Sequence, residues 1–438
     1  MNALMREPLR ILAVAAGEPW PLDSGARLHL YHVLKELARH ADVTLALPSD
    51  PQHRAHLPAD IAIEVIPNTL GINGPTPYGR HAGLAASLAR RHFGWRASLA
   101  AWLEREAHAG RFDVVLLNGA LSGQYAPHCR VPVVWNPQDE LVLGTLRAAE
   151  HDGWHARATA LRHAALYAVY ERHLAQQAAA TVFVSRIDAA YARRWAPAAR
   201  IEIVQNGVDL EYFQPTSAPS IPGTVAFVGA LDFTPNIDGI VQFVRTAWPD
   251  IHGRGRARRL LVVGRKPAPA VRALDGLPGI RVIADVPDVR PYLTQAEVVV
   301  VPVRKGGGLK NKVLEACAMS RPVVAAPRAL AGLSARPGLD VLTADSPRTW
   351  VAQVDRLLCN PTYARAIAER GRAWVRHTHR WADTGRRFLD ILASAARYGR
   401  AATYCRSAEA MPALTLPAAP RAWRRQPGPI AEQEALCR

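Results

Sequence analysis

Short apolar runs that alternate with amphipathic helical stretches constrain the fold of this chain most strongly. Most runs are rich in Val and Ile and lack an in-out alternation of polar residues, as expected of strands buried on both faces. The alternation therefore predicts parallel α/β sheets covered by helices. The predicted strands are Leu9–Ala16, Asp42–Leu47, Ile61–Ile66, Asp113–Leu117, Pro132–Trp135, Thr181–Ser185, Ile201–Val204, Thr224–Val228, Arg259–Val263, Ile280–Ala284, Glu297–Val303, Pro322–Ala326 and Val341–Leu342. The main predicted helices between and after them are Leu28–Arg39, Arg157–Gln177, Val241–Ala247, Lys312–Met319 and one or two helices within Tyr363–Ala396.

The strands fall into two groups, and 438 residues are enough for two domains with separate cores. Prolines and serines in Asp209–Gly223 interrupt both periodicities and predict a linker. We expect two Rossmann-like parallel-sheet domains that face each other across a cleft, followed by a helix that packs back on the first domain. The predicted segments are 1–208 (acceptor-side domain), 209–223 (linker), 224–380 (nucleotide-binding domain), 381–398 (C-terminal helix) and 399–438 (disordered tail, rich in Ala, Pro and Arg).

The net charge of +17 favours anionic partners such as phosphates, lipid head groups or nucleic acid, although Arg that simply replaces Lys across a proteome would give the same balance. No recognition-helix or zinc-finger pattern accompanies the charge, so we expect no nucleic-acid partner. The five scattered cysteines argue against a disulfide scaffold and for a reducing compartment. No apolar run approaches the roughly 20 residues of a membrane span. Ile11–Ala16 could belong to a signal peptide, but its direct continuation into a turn favours a strand and a cytoplasmic location.

A glycine-rich stretch follows the strand Glu297–Val303. Glycines at 306–308 allow close approach to a ligand, and a helix that begins just after them directs free N–H groups toward an anion. Lys312 and Glu315 are three residues apart on that helix and share one face. A cation beside phosphate and a carboxylate beside a ribose diol suit a nucleotide sugar, whereas an ordinary turn with a surface salt bridge has the same residues.

Several segments in order resemble group 1 glycosyltransferases, which are retaining enzymes of the GT-B fold. The similar segments are PWPLDSGARLHLYHVLKELARHADVTL (Pro19–Leu45), NGVDLEYFQP (Asn206–Pro215), FVGALDFTPNIDG (Phe227–Gly239), VVGRKPAP (Val262–Pro269), VPDVRPYL (Val286–Leu293) and GGGLKNKVLEACAMSRPVVA (Gly306–Ala325). The resemblance covers about Leu9 to Leu392 and looks closest to the branch linked to exopolysaccharide and exosortase-associated sugar transfer. It implies that Glu315 holds the ribose of the donor and that Gly25 approaches its phosphate, although Ser24 as a plain helix cap explains the same turn.

The chain departs from the family pattern at two places. A glutamate that contacts the donor sugar in the family would fall on Gly307, and the usual Arg and Lys after the strand that ends at Val228 are missing. We therefore expect the diphosphate charge to be met by Arg304, Lys310 and Lys312, or by Arg265 and Lys266. No D-x-D motif is present, so the resemblance implies a transferase that works without a metal or other cofactor.

These arguments give the predicted site. Asp139 follows the strand Pro132–Trp135 near the position where relatives place an active-site His or Asp. The predicted catalytic residues are Lys312, Arg304 and Asp139. The predicted donor-binding residues are Glu315, Gly306, Gly307, Gly308, Leu309, Lys310, Asn311, Gly229, Asn236, Arg265, Lys266 and Gly25.

We thus expect transfer of a sugar from a UDP- or GDP-linked donor to a glycan or lipid-linked acceptor in surface polysaccharide biosynthesis. A nucleotide-sugar-binding relative with little catalysis and an epimerase on the same fold are the alternatives. A basic and aromatic stretch, Arg80–Arg96, also suits contact with anionic lipid at the inner face of the cell membrane, although such charge runs are often only solvated surface.

Overall fold

The computed structural model describes residues 7–66, 96–148, 153–306 and 308–402. In that part of the chain, the first domain contains a seven-stranded parallel sheet of strand order β3-β2-β1-β4-β5-β6-β7. Its strands are β1 (Leu9–Ala15), β2 (Ala41–Leu47), β3 (Ile61–Val65), β4 (Val114–Asn118), β5 (Val133–Gln138), β6 (Ala180–Phe183) and β7 (Ile201–Ile203).

The second domain has a parallel sheet of six described strands in the order β10-β9-β8-β11-β12-β13. Its strands are β8 (Thr224–Val228), β9 (Arg259–Gly264), β10 (Ile280–Ala284), β11 (Val298–Val301), β12 (Val323–Ala325) and β13 (Leu342–Thr343).

Helices cover both faces of each sheet. Those of the first domain are α1 (Gly25–Ala38), α2 (Ala97–Glu106), α3 (Leu141–Ala148), α4 (Trp154–Gln177) and α5 (Arg186–Trp195). Those that follow are α6 (Thr234–Thr246), α7 (Trp248–Gly253), α8 (Pro269–Arg272), α9 (Arg290–Gln295), α10 (Asn311–Ala318), α11 (Pro347–Cys359), α12 (Pro361–Thr378) and α13 (Trp381–Ala402). Short 3-10 helices occupy Arg54–His56, Ala120–His128 and Pro327–Leu330. In the described part of the chain, no helix combines the length and apolarity that a membrane crossing needs.

Burial on both faces explains the uninterrupted apolar runs. In β1, Ile11 and Ala13 belong to one core cluster, while Leu12 and Val14 belong to the cluster on the opposite face. Successive side chains of a strand point to opposite faces, so a strand between two helical layers needs an apolar residue at every position. The thirteen predicted strands are confirmed, with bounds that shift by at most three residues.

The predicted helices are less accurate at their ends. Tyr363–Ala396 is two helices, α12 and α13, which meet at His379 and Arg380. Helix α13 runs to Ala402, past the expected end at 398. It continues through Gly399 because the flanking Arg and Ala are strong helix formers and no proline follows within the helix. Helix α6 begins at Thr234, seven residues before the predicted start, with Pro235 in its first turn. The tail beyond 402 lies outside the described residues.

Two connections between the domains run side by side. Val208 donates its backbone N–H to the His379 carbonyl at 2.9 Å. A Cβ on Gly207 would lie 2.4 Å from the backbone nitrogen of Trp381, so only glycine fits there. From this crossing, α13 returns to the first domain, where Phe388 and Ile391 join the core cluster of β1 and α1.

The strand order reverses between β1 and β4 in the first sheet and between β8 and β11 in the second. Open parallel sheets bind ligands outside the carboxyl ends of the strands at such positions. The loops at these ends contact each other across the domains: Asp139 after β5 meets Gly308 after β11, and Ser185 after β6 meets Gly332 after β12. The fold therefore creates a cleft with both switch points on it.

Candidate donor-binding site

The glycine loop after β11 leads directly into α10. Gly306 has φ of 86° and Gly308 has φ of 69°, in the left-handed region that side chains other than glycine rarely adopt. Val313 and Cys317 are buried in the core of the second domain and fix the orientation of α10. The first turn of α10 is thereby held at the carboxyl edge of the sheet with its N–H groups toward the cleft. Gly307 lies outside the described residues.

Lys312 crosses from α10 to the end of β8. Its Nζ donates to Asn236 Oδ1 at 2.6 Å, and a Cβ on Gly229 would lie only 2.5 Å from that Nζ. Desolvation lowers the pKa of Lys312 to about 7, Lys310 lowers it further, and Glu315 opposes the shift. The sequence has no Lys or Arg directly after β8, but the fold brings the ammonium group of Lys312 to that position. The hydrogen bond to Asn236 holds the ammonium group there.

Glu315 lies one turn further along α10 and is half-buried. Desolvation raises the pKa of its carboxyl group to about 7, against the opposing effect of Lys312. An ammonium and a carboxylate on one helix face, each with its pKa shifted toward 7, can bind an anion and a pair of hydroxyl groups side by side.

Asp139 extends from the first domain to the glycine loop. A Cβ on Gly308 would lie 2.5 Å from Asp139 Oδ1, so the carboxylate is packed against the bare glycine backbone. The side chain is exposed at the cleft, yet the protein packed around the carboxyl group partly desolvates it and raises its pKa to about 6. Asp188 adds to this shift, whereas Lys310 and Arg147 oppose it. The two domains therefore bring a carboxylate to a loop that has none of its own between Arg304 and Asn311.

Lys310 faces the carboxylates of the first domain. The residue is only 8% exposed, and its Nζ donates to the Gly308 carbonyl at 3.3 Å. Burial lowers its pKa, and the nearby Asp139 and Asp188 counteract the burial. Its position favours a role in balancing charge between the domains.

Arg304 turns toward α6. Its Nη2 lies 3.2 Å from Asp238 Oδ2, and Lys305 Nζ lies 3.3 Å from Asp238 Oδ1. Arg304 also lines a cavity of about 420 Å³ together with Arg328 and Asp345. The carboxylate of Asp238, unanticipated from the sequence, holds this predicted catalytic cation.

Arg265 and Lys266 diverge. Arg265 Nη1 lies 3.5 Å from Asp23 Oδ2 of the first domain and 3.7 Å from Asp232 Oδ2. Lys266 adopts φ of 47°, donates its backbone N–H to Asp285 Oδ1 at 2.7 Å, and has an exposed side chain. Arg265 thus reaches the cleft and Lys266 does not.

Helix α1 faces α10 across the cleft. Ser24 caps α1 by accepting from the Arg27 backbone N–H at 3.4 Å, and a Cβ on Gly25 would lie 3.8 Å from Asn311 Nδ2. The cap and the close approach therefore coexist in one turn. Leu309 contacts the loop at Gly332 on the other side of the glycine loop.

Besides Asp238, sequence reasoning missed three residues of this region. His29 and Asn206 link α10 to the first domain by hydrogen bonds, and Asp188 shifts the pKa of Asp139. His29 is one buried residue of an amphipathic helix, and its partner Asn206 lies 177 positions away, so no local pattern marks either. Within the part of the chain that the structure describes, no three His, Cys, Asp or Glu side chains are grouped to hold a metal ion.

Two protein-family models match the chain, one in each domain. Residues 24–212 match the model described as Glycosyltransferase Family 4. Residues 222–360 match the model described as Glycosyl transferases group 1. Together the matched ranges span about three quarters of the 438 residues.

Solved structures share the two-domain architecture. Sucrose-phosphate synthase from Thermosynechococcus elongatus aligns with a TM-score of 0.67 at 18% identity, over 90% of this chain and 100% of that chain. HepE of Anabaena in complex with UDP gives 0.58 at 15% identity, over 88% and 100%. WaaG, a glycosyltransferase involved in lipopolysaccharide biosynthesis, gives 0.56 at 14% identity, over 87% and 99%. At these identities the likeness establishes the fold, which is GT-B. No curated protein sequence matches this chain.

Proposed function

Since both family matches and the shared fold support a group 1 glycosyltransferase, we propose that the chain is a retaining, metal-independent enzyme of surface polysaccharide biosynthesis. It transfers a sugar from a UDP- or GDP-linked donor to a glycan or lipid-linked acceptor. The observation that carries the proposal is the ammonium of Lys312, which lies against Gly229 beside the first turn of α10. HepE was crystallised with UDP and with UDP-glucose, which favours a uridine donor here.

The roles follow from the geometry. The donor diphosphate lies between Lys312 and the N–H groups of α10, and Glu315 accepts hydrogen bonds from the ribose hydroxyls. As the bond to the sugar breaks, negative charge grows on the leaving diphosphate, and donors that are already in place stabilise that charge. The same diphosphate takes up the proton of the acceptor hydroxyl during attack on the same face. This division explains why cations rather than a protein base dominate the site.

Asp139 supplies the carboxylate at the reacting end. Its pKa of about 6 leaves it mainly ionised at pH 7, so it can accept a hydrogen bond from a hydroxyl of one of the two sugars. Because it belongs to the first domain and contacts the loop of the second at Gly308, it meets the donor only where the domains are together.

Nucleotide binding tests the donor site. We expect UDP or GDP, at 100 times its dissociation constant, to stabilise the chain by about 2.7 kcal/mol in thermal unfolding. Lys312→Ala should abolish most of this effect and lower turnover of the donor by roughly two to three decades, as loss of an oxyanion donor does. The exposed Lys266→Ala is the matched control and should behave as the wild type. Equal stabilisation of Lys312→Ala and the wild type would contradict the site.

Transfer separates the proposal from its alternatives. A transferase releases nucleoside diphosphate in step with a glycosylated acceptor, and a retaining one preserves the anomeric configuration of the donor. An epimerase would instead return a changed nucleotide sugar, and a binding protein would return the donor intact. Activity that survives a chelator tests the independence from metal.

A lipid-linked acceptor requires access to a membrane surface, and α4 has a face that suits it. Trp154 is 71% exposed and Leu161 is 62% exposed, seven positions apart on one side of the helix. Arg157 and Arg162 are exposed beside them, and no Asp or Glu occurs between Trp154 and Tyr170. Aromatic and aliphatic side chains flanked by Arg match the interface of an anionic bilayer. We propose that this surface, Trp154–Arg162, contacts anionic lipid. Of the basic and aromatic stretch Arg80–Arg96, positions 80–95 lie outside the described residues.

A further inference from the structure

A line of five polar side chains crosses from the first sheet to α10. Asn136 Nδ2 lies 2.8 Å from Asn118 Oδ1 and 2.9 Å from His29 Nε2. His29 Nδ1 lies 2.8 Å from Asn206 Oδ1, and Asn206 Nδ2 lies 3.2 Å from Asn311 Oδ1. All but Asn311 are at most 7% exposed. Each hydrogen bond of the line must pair a donor with an acceptor, since an unmatched polar pair is costly at this depth. Among the described residues, Asn136 Oδ1 has no hydrogen-bond partner, so the other atoms of the line carry the order.

The order of donors along the line follows from His29. The structure places the amide nitrogen of Asn136 toward His29 Nε2. In that orientation the amide donates, Nε2 accepts and Nδ1 carries the proton; the inverted orientation of every amide in the line would require the opposite tautomer. Burial lowers the pKa of His29 to about 4, which leaves one ring proton at neutral pH. Asn206 therefore accepts at Oδ1 and donates from Nδ2, and Asn311 accepts at Oδ1.

The end of the line lies at the cleft. With Oδ1 of Asn311 engaged by Asn206, its Nδ2 is turned toward Gly25, 3.8 Å from the position of a Cβ there. Gly25 opens α1 and Asn311 opens α10, so the amide group lies between two helix N-termini. Free N–H groups and the positive ends of both helix dipoles converge on this point. An anion placed there meets the NH₂ group of Asn311 and not its carbonyl.

We propose that His29 and Asn206 are positioning residues that turn the amide NH₂ of Asn311 toward the diphosphate of the donor. The inference rests on the proposed function, because it needs a diphosphate in the cleft. It assigns to the first domain a part in donor affinity that requires no direct contact between His29 or Asn206 and the donor.

Asn206→Asp reverses the donor and acceptor roles in the hydrogen bond between residues 206 and 311 at nearly constant side-chain volume. A carboxylate at 206 can only accept, so Asn311 must turn its NH₂ toward residue 206 and its carbonyl toward the diphosphate. Loss of a hydrogen bond to a charged group corresponds to roughly 10- to 100-fold in affinity. The new charge at 206 also repels the diphosphate, and a double-mutant cycle with Asn311→Ala removes that contribution.

The experiment measures the dissociation constant of UDP by calorimetry for the wild type, both single variants and the double variant of the full chain. We expect Asn206→Asp to weaken UDP binding at least about tenfold more when residue 311 is Asn than when it is Ala. Asn360→Asp, the same change at the exposed N-cap of α12, is the control and should leave binding unchanged. Equal weakening in both backgrounds overturns the inference and leaves the proposed function intact. A wild type that binds neither UDP nor GDP overturns both.

The tautomer of His29 gives a second readout that depends on no substitution at 206. Ring ¹⁵N spectra at pH 7 should show His29 with Nδ1 protonated and Nε2 bare, the signal being assigned as the one lost in His29→Gln. The opposite tautomer would reverse the whole line, present the carbonyl of Asn311 to the diphosphate, and so overturn the inference.

Discussion

Lys312 and Glu315 titrate in opposite senses near the same pH. Desolvation lowers the pKa of Lys312 to about 7 and raises that of Glu315 to about 7, so Lys312 is charged below and Glu315 above that value. In the proposed site, donor binding needs the ammonium of Lys312 for the diphosphate and the carboxylate of Glu315 for the ribose. We therefore expect the affinity for UDP-glucose to peak near pH 7 and to fall on both sides, by up to about tenfold per pH unit on each limb.

Two variants separate the limbs. Lys312→Arg keeps its charge throughout and should remove the alkaline fall. Glu315→Gln has no carboxylate to protonate and should remove the acid fall near pH 7, which leaves only the contribution of Asp139 near pH 6. Calorimetric titration with UDP-glucose between about pH 5.5 and 8.5 measures both, because its doubly esterified diphosphate has no proton to lose in this range. A flat profile for the wild type, or an alkaline fall that persists in Lys312→Arg, would contradict these roles.

At the scale of the element, α4 carries the proposed contact with lipid. Removing the apolar groups of Trp154 and Leu161 from the surface Trp154–Arg162 should weaken partition onto vesicles that contain phosphatidylglycerol by at least about tenfold in the double variant to Ser. Co-sedimentation of the full chain measures it. Added salt should weaken binding of the wild type because Arg157 and Arg162 contribute electrostatically.

Exposed apolar residues of the linker and of the second domain provide the control for α4. Ile221 and Leu277 are 40% and 42% exposed, and their double change to Ser should leave the partition unchanged. Equal partition of the α4 variant and this control would show that α4 is not the surface that contacts lipid.

The elements of this chain were more predictable than the contacts between them. The strands could be found because β1 and its neighbours need apolar residues at every position, and such a run is visible in consecutive residues of the sequence. The first turn of α10 was predictable for the same local reason, since glycines precede it. The partners were not, because they depend on which loops the fold brings together. Nothing near Arg304 shows that Asp238 will bind it from 66 positions away, and nothing near Gly308 shows that Asp139 will pack on it.

At the scale of the whole molecule, the contact of Asp139 with Gly308 joins the domains at the cleft. Ala at position 308 would place a Cβ 2.5 Å from Asp139 Oδ1 in addition to forcing Ala to φ of 69°. Gly306→Ala brings a comparable conformational strain at φ of 86°, but its nearest neighbour is Pro235 of its own domain at 3.2 Å. The strain costs about 1–2 kcal/mol in either variant. In Gly308→Ala alone the Asp139 carboxylate must also turn away from its present position, which adds about 0.5–1.5 kcal/mol.

Urea unfolding of the full chain should therefore rank Gly308→Ala below Gly306→Ala in free energy of unfolding. In an Asp139→Ala background, the carboxylate is gone and the two glycine variants should become equal. If Gly308→Ala still has the lower free energy of unfolding in that background, its extra destabilisation arises within the loop and not from the contact between the domains. If the difference disappears, the absence of a side chain at 308 is what allows a carboxylate of the first domain to reach the glycine loop of the second. Glycine at 308 then serves the assembly of the cleft as much as the turn of the loop.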